Sequence, residues 1–398
     1  MTIPISTNSA TPLLRFTIAM IGMLAFLQVY SIQAILPVLM QDLHATEVQA
    51  GLAVGMTVMA IAIMSPFMGM LSDSIGRKGL IVACLLLIAV PSGMIGFSSS
   101  IGEVKTWRFL QGLFVPGITV VTIAYISEEF PNDIATMMSM YVSGTVLGGF
   151  SGRFVIGYLH SFIGWQAGYW VTAAAMILGA IWVARTLPAS KNFVNGGNFR
   201  TSLATLASHA SNRYVISACA LGACVLFSLV GIFTFVNLHL ARTPYNLGSS
   251  ALANIFAVYL IGMVITPLST RLIVRFGIVR TVIFAIGTSM MGAAIVLAKP
   301  LWLIIIGLTV MSSGVFITQT ATISYISQNV KEGRSLASGL YYMCYYAGGS
   351  LGAWACGIAF AYYDWLGVVA TVVVLQLLGI LIVFFGMQHK QINPARQA

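Results

Sequence analysis

Charge is what this sequence has least of. Only 7% of its 398 residues are Asp, Glu, Lys or Arg, against 59% that are hydrophobic. Soluble domains carry about 25% charged residues, so this chain lacks the polar surface to cover itself in water, and a soluble fold is excluded. Acid is scarcer than base: nine Asp and Glu stand against 19 Lys and Arg, a formal net charge of +10. A nucleic-acid partner would need those cations in one patch with aromatics interleaved. Here they are scattered through short polar stretches, and no nucleic-acid partner is expected. The five cysteines (Cys84, Cys219, Cys224, Cys344 and Cys356) lie in apolar runs with no CxxC pair, which suits small packing residues better than disulfides or metal ligands. There is no HExxH, no GxSxG and no cluster of His and acid. No enzyme activity, metal or cofactor is therefore expected.

What the chain does have is long apolar runs. A helix needs about 20 apolar residues to cross a bilayer core of about 30 Å. Twelve runs qualify: 14–40, 48–71, 79–98, 102–127, 137–162, 167–187, 214–237, 250–270, 280–298, 301–326, 336–362 and 365–387. The first exceeds the roughly 7–15 apolar residues of a secretory signal and reads as a retained span. The expected fold is all-α and integral to the membrane, with twelve transmembrane helices. With twelve spans both termini share one side. Lys105, Arg242 and Lys299 then fall on the other side, Arg108 and Arg153 lie within spans, and every remaining Lys and Arg sits on the terminal side. By the positive-inside rule that side is the cytoplasm, in a bacterial inner membrane.

The chain also repeats itself. Shifted by 200 residues, TIAYIS at 122–127 falls on TISYIS at 322–327, Tyr141 on Tyr341, Gly148 and Gly149 on Gly348 and Gly349, and Gly152 on Gly352. The same shift pairs Gly157 with Gly357 and Trp165 with Trp365, and one residue more pairs Pro66 with Pro267 and Gly76 with Gly277. Six spans per copy make the copies parallel, an architecture of transporters with the binding site between halves. The expected units are a six-helix bundle over 1–187, a polar cytoplasmic linker over 188–213, and a second bundle over 214–398.

Between spans two and three lies GMLSDSIGRKGL at 69–80. As a plain charged turn it explains Arg77 and Lys78, but not Asp73 or the glycines at 69, 76 and 79. Gly76 suits a tight turn with positive φ, and a carboxylate at Asp73 can face the positive end of a neighbouring helix. GMLSDSIGRK resembles the G-x-L-[SA]-D-x-x-G-R-[KR] signature of the major facilitator superfamily. RFLQG at 108–112 resembles the R-x-x-Q-G motif of its twelve-helix drug:proton antiporters. The resemblance covers essentially the whole chain. It implies a secondary transporter working by alternating access, with proton-driven efflux of small amphipathic compounds. It also implies a cytoplasmic gate in which Asp73 faces the start of span eleven near Leu336 and Arg77 pairs with Glu128 or Glu129. The second copy has Val274 in place of Asp73, so the latch is one-sided. Small-molecule substrate, membrane lipid and protons are the expected partners of a monomer.

Span five carries GTVLGGFSGR, with Gly144, Gly148, Gly149 and Gly152, and span eleven keeps Gly348 and Gly352. Such spacing lets backbones approach closely and is expected to pack helices and to offer a smooth surface on which the halves rock. The antiporter motif has Gly-Pro here, and this chain has no proline in the segment. Arg108 and Arg153 are costly inside a membrane and face either a partner or a cavity. Arg108 is near enough to the end of its run to snorkel instead. None of the nine acids and none of the histidines falls at mid-membrane, and Asp42 and Glu47 are the nearest candidates for proton coupling. Two embedded cations without counter-ions also fit an organic-anion or sugar carrier. In the other reading carbonyls and side chains such as Gln111 satisfy them. By the resemblance, spans one, four, seven and ten line the cavity, bringing Gln28, Tyr30, Gln33, Gln111, Asn237 and Gln319, with Tyr341, Tyr342, Tyr345 and Tyr346 added by span eleven. Each of these serves equally well as an interhelical packing or hydrogen-bonding residue.

Overall fold

The computed structural model describes residues 11–190, 207–330 and 334–387, apart from the side chains of Asp73, Arg334 and Ser335. Residues 191–206 of the expected linker, and with them Lys191 and Arg200, lie outside this range. So do Lys331, Glu332, Lys390 and Arg396.

All regular structure among the described residues is helical, and ten helices are long and apolar enough to cross a membrane. Two of them, Ile134–Thr186 and Arg334–Gly386, contain 53 residues each, about 80 Å if straight, more than twice a bilayer core. Each is broken once. At Gly164 the backbone takes φ 84° and at Asp364 φ 52°, and the chain turns back on itself. Trp165 then meets Asp42 at one end of the molecule while Thr186 meets Thr17 at the other. These two breaks make twelve crossings of ten helices. They are α1 (Pro12–Val29, continued by a 3-10 stretch Ser31–Ile35 and Leu36–Asp42), α2 (Glu47–Ile75), α3 (Arg77–Ile95) and α4 (Ile101–Glu129). α5 and α6 are the parts of Ile134–Thr186 before and after Gly164. α7 (Arg213–Ala241) follows, then α8 (Ser249–Ile255, a 3-10 stretch Phe256–Ile261, and Gly262–Phe276), α9 (Ile278–Ile295) and α10 (Leu301–Asn329). α11 and α12 are the parts of Arg334–Gly386 on either side of Asp364.

The internal repeat governs the packing. Gly76 (φ 91°) and Gly277 (φ 79°) make the turns after α2 and α8 in a conformation that side chains with a Cβ avoid. A Cβ on Gly144, Gly148 or Gly152 would collide with the carbonyls of Ala19, Met23 and Leu27, and one on Gly348 or Gly352 with those of Ala223 and Phe227. Each pair on α7–α11 lies 200 residues beyond its counterpart on α1–α5. The glycine stripes therefore seat α5 on α1 and α11 on α7, within each group of six. This corrects one expectation for Gly144, Gly148, Gly152, Gly348 and Gly352: they are not a surface on which the halves rock, because the backbone that fills their groove belongs to the same half, while Gly349 faces Val58 of α2.

Across the halves, α2 packs on α11 and α5 on α8. Gly51 and Gly55 let α2 approach Ala353 and Ser350, and Gly157 lets α5 approach Ser249 and Ala253. At the end bearing Asp42, Arg242, just past α7, pairs with Glu47 of α2 at 2.9 Å, with Asp364 at 3.7 Å. Tyr158 and Asn254 bond across α5 and α8. Hydrogen bonds and an ion pair join the halves from this end to the middle of the helices.

Candidate functional site

The break in α1 organises the middle of the molecule. Pro37 has no N–H to give the carbonyl of Gln33, and the chain runs in 3-10 form over Ser31–Ile35. The last carbonyls before the break then lack their usual helical donors. Arg108, fully buried on α4, supplies them. Its Nη1 donates to the Gln28 carbonyl (2.5 Å), its Nη2 to the Val29 carbonyl and its Nε to the Ala53 carbonyl (3.3 Å). A cation at a helix C-terminus is also favoured by the helix dipole. Gln111, one turn on, accepts from Arg108 (2.9 Å) and donates to Gln28 Oε1 (3.2 Å) and Ser92 Oγ (2.7 Å). Gly112 completes the motif, since a Cβ there would collide with the Thr57 carbonyl. Every nitrogen of Arg108 is thus bonded. It does not snorkel; its surroundings match the reading in which carbonyls and Gln111 satisfy it.

Arg153 on α5 is different. It lies roughly 16 Å from the turn at Gly164, at 1.5 Å per residue, and is also fully buried. Its Nε donates to Gln33 Oε1 (2.8 Å) and its Nη1 to the Gly149 carbonyl (2.5 Å), but its Nη2 has no hydrogen-bond partner. Three rings enclose the guanidinium: Tyr30 at 4.8 Å, Phe256 at 4.3 Å and Tyr259 at 4.4 Å from ring centre to Cζ. Phe233 of α7 supports Tyr259 edge-on at 4.5 Å. Gln33 Nε2 donates to Thr234 of α7 at 2.9 Å. Tyr30, Gln33 and Arg153 come from the first half, and Thr234, Phe256 and Tyr259 from the second, so this box exists only where the halves meet.

The remaining expected residues divide. Gln28 and Gln111 join Arg108, while Tyr30 and Gln33 join Arg153. Asn237 bonds back to the Phe233 carbonyl of its own helix, and half-buried Gln319 enters neither cluster. The tyrosines of α11 meet edge-on in a row through Tyr341, Tyr342, Tyr345 and Tyr346. Thr234, Phe256 and Tyr259 were missed in the sequence. FAVY at 256–259 reads as ordinary apolar span, and no proline or glycine marks the 3-10 stretch it forms.

At the Gly76 end, Arg77 is buried and grips Glu128 with two nitrogens, Nε to Oε2 at 3.0 Å and Nη2 to Oε1 at 2.6 Å; its Nη1 donates to Ser72. Lys78 borders an open cleft with Gly76, Gly79 and Ala184. The expected contact of Asp73 with the start of α11 falls on side chains outside the described set. Among the described residues no group of His, Cys, Asp and Glu is arranged to hold a metal.

Twelve apolar crossings, two copies of one six-helix unit, and a buried polar box between the copies define a multi-pass membrane carrier. The chain matches the profile of the Major Facilitator Superfamily over residues 18–353 and belongs to that family; it is a transporter, not an enzyme. It is 28% identical over 373 residues to the inner membrane transport protein YnfM of Escherichia coli K12, covering 93% of this chain and 89% of that one. A multi-drug resistance efflux pump, PmrA of Streptococcus pneumoniae, is 26% identical over 153 residues, 37% of this chain and 38% of that one. The fold also superposes on a solved nucleoside transporter, NupG, with a TM-score of 0.78 and 15% identity, over 94% of this chain and all of that one.

Proposed function

We propose that this transporter is a monomer of a bacterial inner membrane, with the Gly76 end and both termini in the cytoplasm, and that it uses the proton gradient to export small amphipathic compounds. The observation that carries the reading is the set of contacts that closes the halves at the Asp42 end. From the Arg153 box to the Asp42 end they are joined by Gln33–Thr234, Tyr158–Asn254 and Glu47–Arg242, as in a carrier shut on its outer face. Rocking residues 1–187 against 214–398 would break these contacts and shut the other end, where Asp73, Arg77 and Lys78 form the latch and Glu128 holds Arg77 in place. Two further facts favour export: the part-length similarity to a multi-drug efflux pump, and the aromatic walls near the midplane, which suit amphipathic ligands.

Protons would act at the outer gate. Asp42 accepts from Trp165 and Glu47 pairs with Arg242. Protonating Glu47 removes the charge that binds the halves together there and so favours the outward-open state. The test is transport by the purified chain in proteoliposomes loaded with a pH dye, challenged with lipophilic cations and organic anions. Saturable substrate movement coupled to opposite proton movement, and uncoupled by Glu47→Gln, is expected. Substrate movement with no proton flux would overturn proton coupling. Flux that fails to saturate and shows no counterflow would overturn alternating access.

A further inference from the structure

We propose that the compound carried is a monocarboxylate with an aromatic or similarly flat apolar body, and that Arg153 Nη2 is the group that receives its carboxylate. This rests on the transporter reading above and names the substrate of the same site.

The argument starts from the contrast between the two buried arginines. Arg108 has a partner for each nitrogen. Arg153 has two bonded nitrogens and one, Nη2, that is buried with none. A buried donor left unpaired destabilises the fold, and more so when it is charged. The three rings cover the faces of the guanidinium, and none of them makes a hydrogen bond to Nη2. Arginine keeps its proton in proteins, so the site cannot relieve the cost by losing charge. An anionic oxygen at Nη2 relieves it by a charge-assisted hydrogen bond.

The same geometry limits the ligand. Only one nitrogen is free and Arg108 is saturated, so one negative charge is matched and a second would be buried without a partner. That favours a carboxylate over a doubly charged phosphate. The ligand's body then lies among Tyr30, Phe256, Tyr259 and Phe233, where an aromatic group gains from offset or edge contacts. Access follows from the origin of the walls. Phe256 and Tyr259 belong to α8 and Tyr30 to α1, so separating the halves takes two rings off the guanidinium and uncovers Nη2. Gln33 holds Nε at 2.8 Å from α1, which keeps the arginine with the first half as the second moves away.

The experiment compares equilibrium binding of 1-naphthoate and 1-naphthamide to the full-length protein in nanodiscs of zwitterionic lipid, with no proton gradient. The two probes share size and ring and differ in charge. The unaltered protein should bind the acid at least about tenfold more tightly, the effect of one charge-assisted bond of about 1.4 kcal/mol. Arg153→Gln should bind acid and amide alike. Equal affinities in the unaltered protein overturn the proposal, and that comparison needs no variant to fold. An acid preference that survives in a monodisperse Arg153→Gln protein also overturns it. A failure of proton coupling in the liposome assay leaves this binding test untouched, and a failure here leaves alternating access untouched.

Discussion

Replacing Arg108 with methionine removes a buried cation while keeping an unbranched apolar stem in its place. The structure assigns Arg108 to the break in α1, so the expected damage is to the fold. Two carbonyls at the end of the first α1 segment, Gln28 and Val29, lose their guanidinium donor. At about 1–3 kcal/mol for each buried acceptor left short of a partner, the gross loss is about 2–6 kcal/mol. Part is recovered, because a buried guanidinium no longer has to be stripped of water and because the Gln28 carbonyl still accepts from Ser31 at 3.2 Å. The net destabilisation is then about 2–3 kcal/mol. At about 2–4 °C per kcal/mol in domains of 150–250 residues, and less in a longer chain, Tm in detergent should fall by about 5 °C. Arg108→Lys should fall between, since a compact ammonium reaches fewer carbonyls than the planar fork. Thermal denaturation followed by tryptophan fluorescence, paired with the naphthoate binding assay on folded protein, decides the matter. If Arg108→Met melts with the unaltered chain but no longer binds ligand, Arg108 is a binding residue and the capping argument is refuted.

Gly148→Ala should lower stability by about 1–3 kcal/mol through overpacking, because its Cβ would meet the Met23 carbonyl, which cannot move without α1. Gly339→Ala, with nothing within 4 Å of its Cβ, should leave Tm unchanged or slightly raised; equal effects at the two sites would refute the groove. Arg242→Ala removes a half-exposed ion pair worth about 0–1 kcal/mol, so Tm should hold. The population open at the Asp42 end should nevertheless grow, read as a longer distance between spin labels at positions 44 and 246. An unchanged distance distribution would mean that the pair does not hold the gate.

Much of the fold was legible because its causes are local. The length of each apolar run sets a span, and the turn glycines Gly76 and Gly277 follow from a backbone conformation that few other residues tolerate. The repeat at 200 residues correctly paired Gly148 with Gly348 and Gly152 with Gly352 from spelling alone, though it could not say what they touch. Spacing shows that a stripe exists; only the helix lying in it shows that α5 packs on α1 within one half. The pairing of Arg77 with Glu128 was implied by the resemblance carried in GMLSDSIGRK, which also left Glu129 open.

The candidate site was legible only as a set of residues. Charge scarcity marked Arg108 and Arg153 alike as unusual; the RFLQG motif and a place nearer the end of its run set Arg108 apart, but neither says which arginine has its donors satisfied. What separates them is who donates the acceptors. Arg108 reaches the carbonyls that the α1 break exposes and one of α2, whereas Arg153 meets a carbonyl of its own helix, Gln33 and three rings, two of them from the other six-helix unit. Thr234, Phe256 and Tyr259 lie in apolar runs whose local pattern says only that they are buried. Hydrophobicity determines which segments enter the membrane, because transfer from water depends on each segment's own surface. Whether a buried donor is satisfied depends on atoms brought to it from distant segments, and that the tertiary structure alone decided.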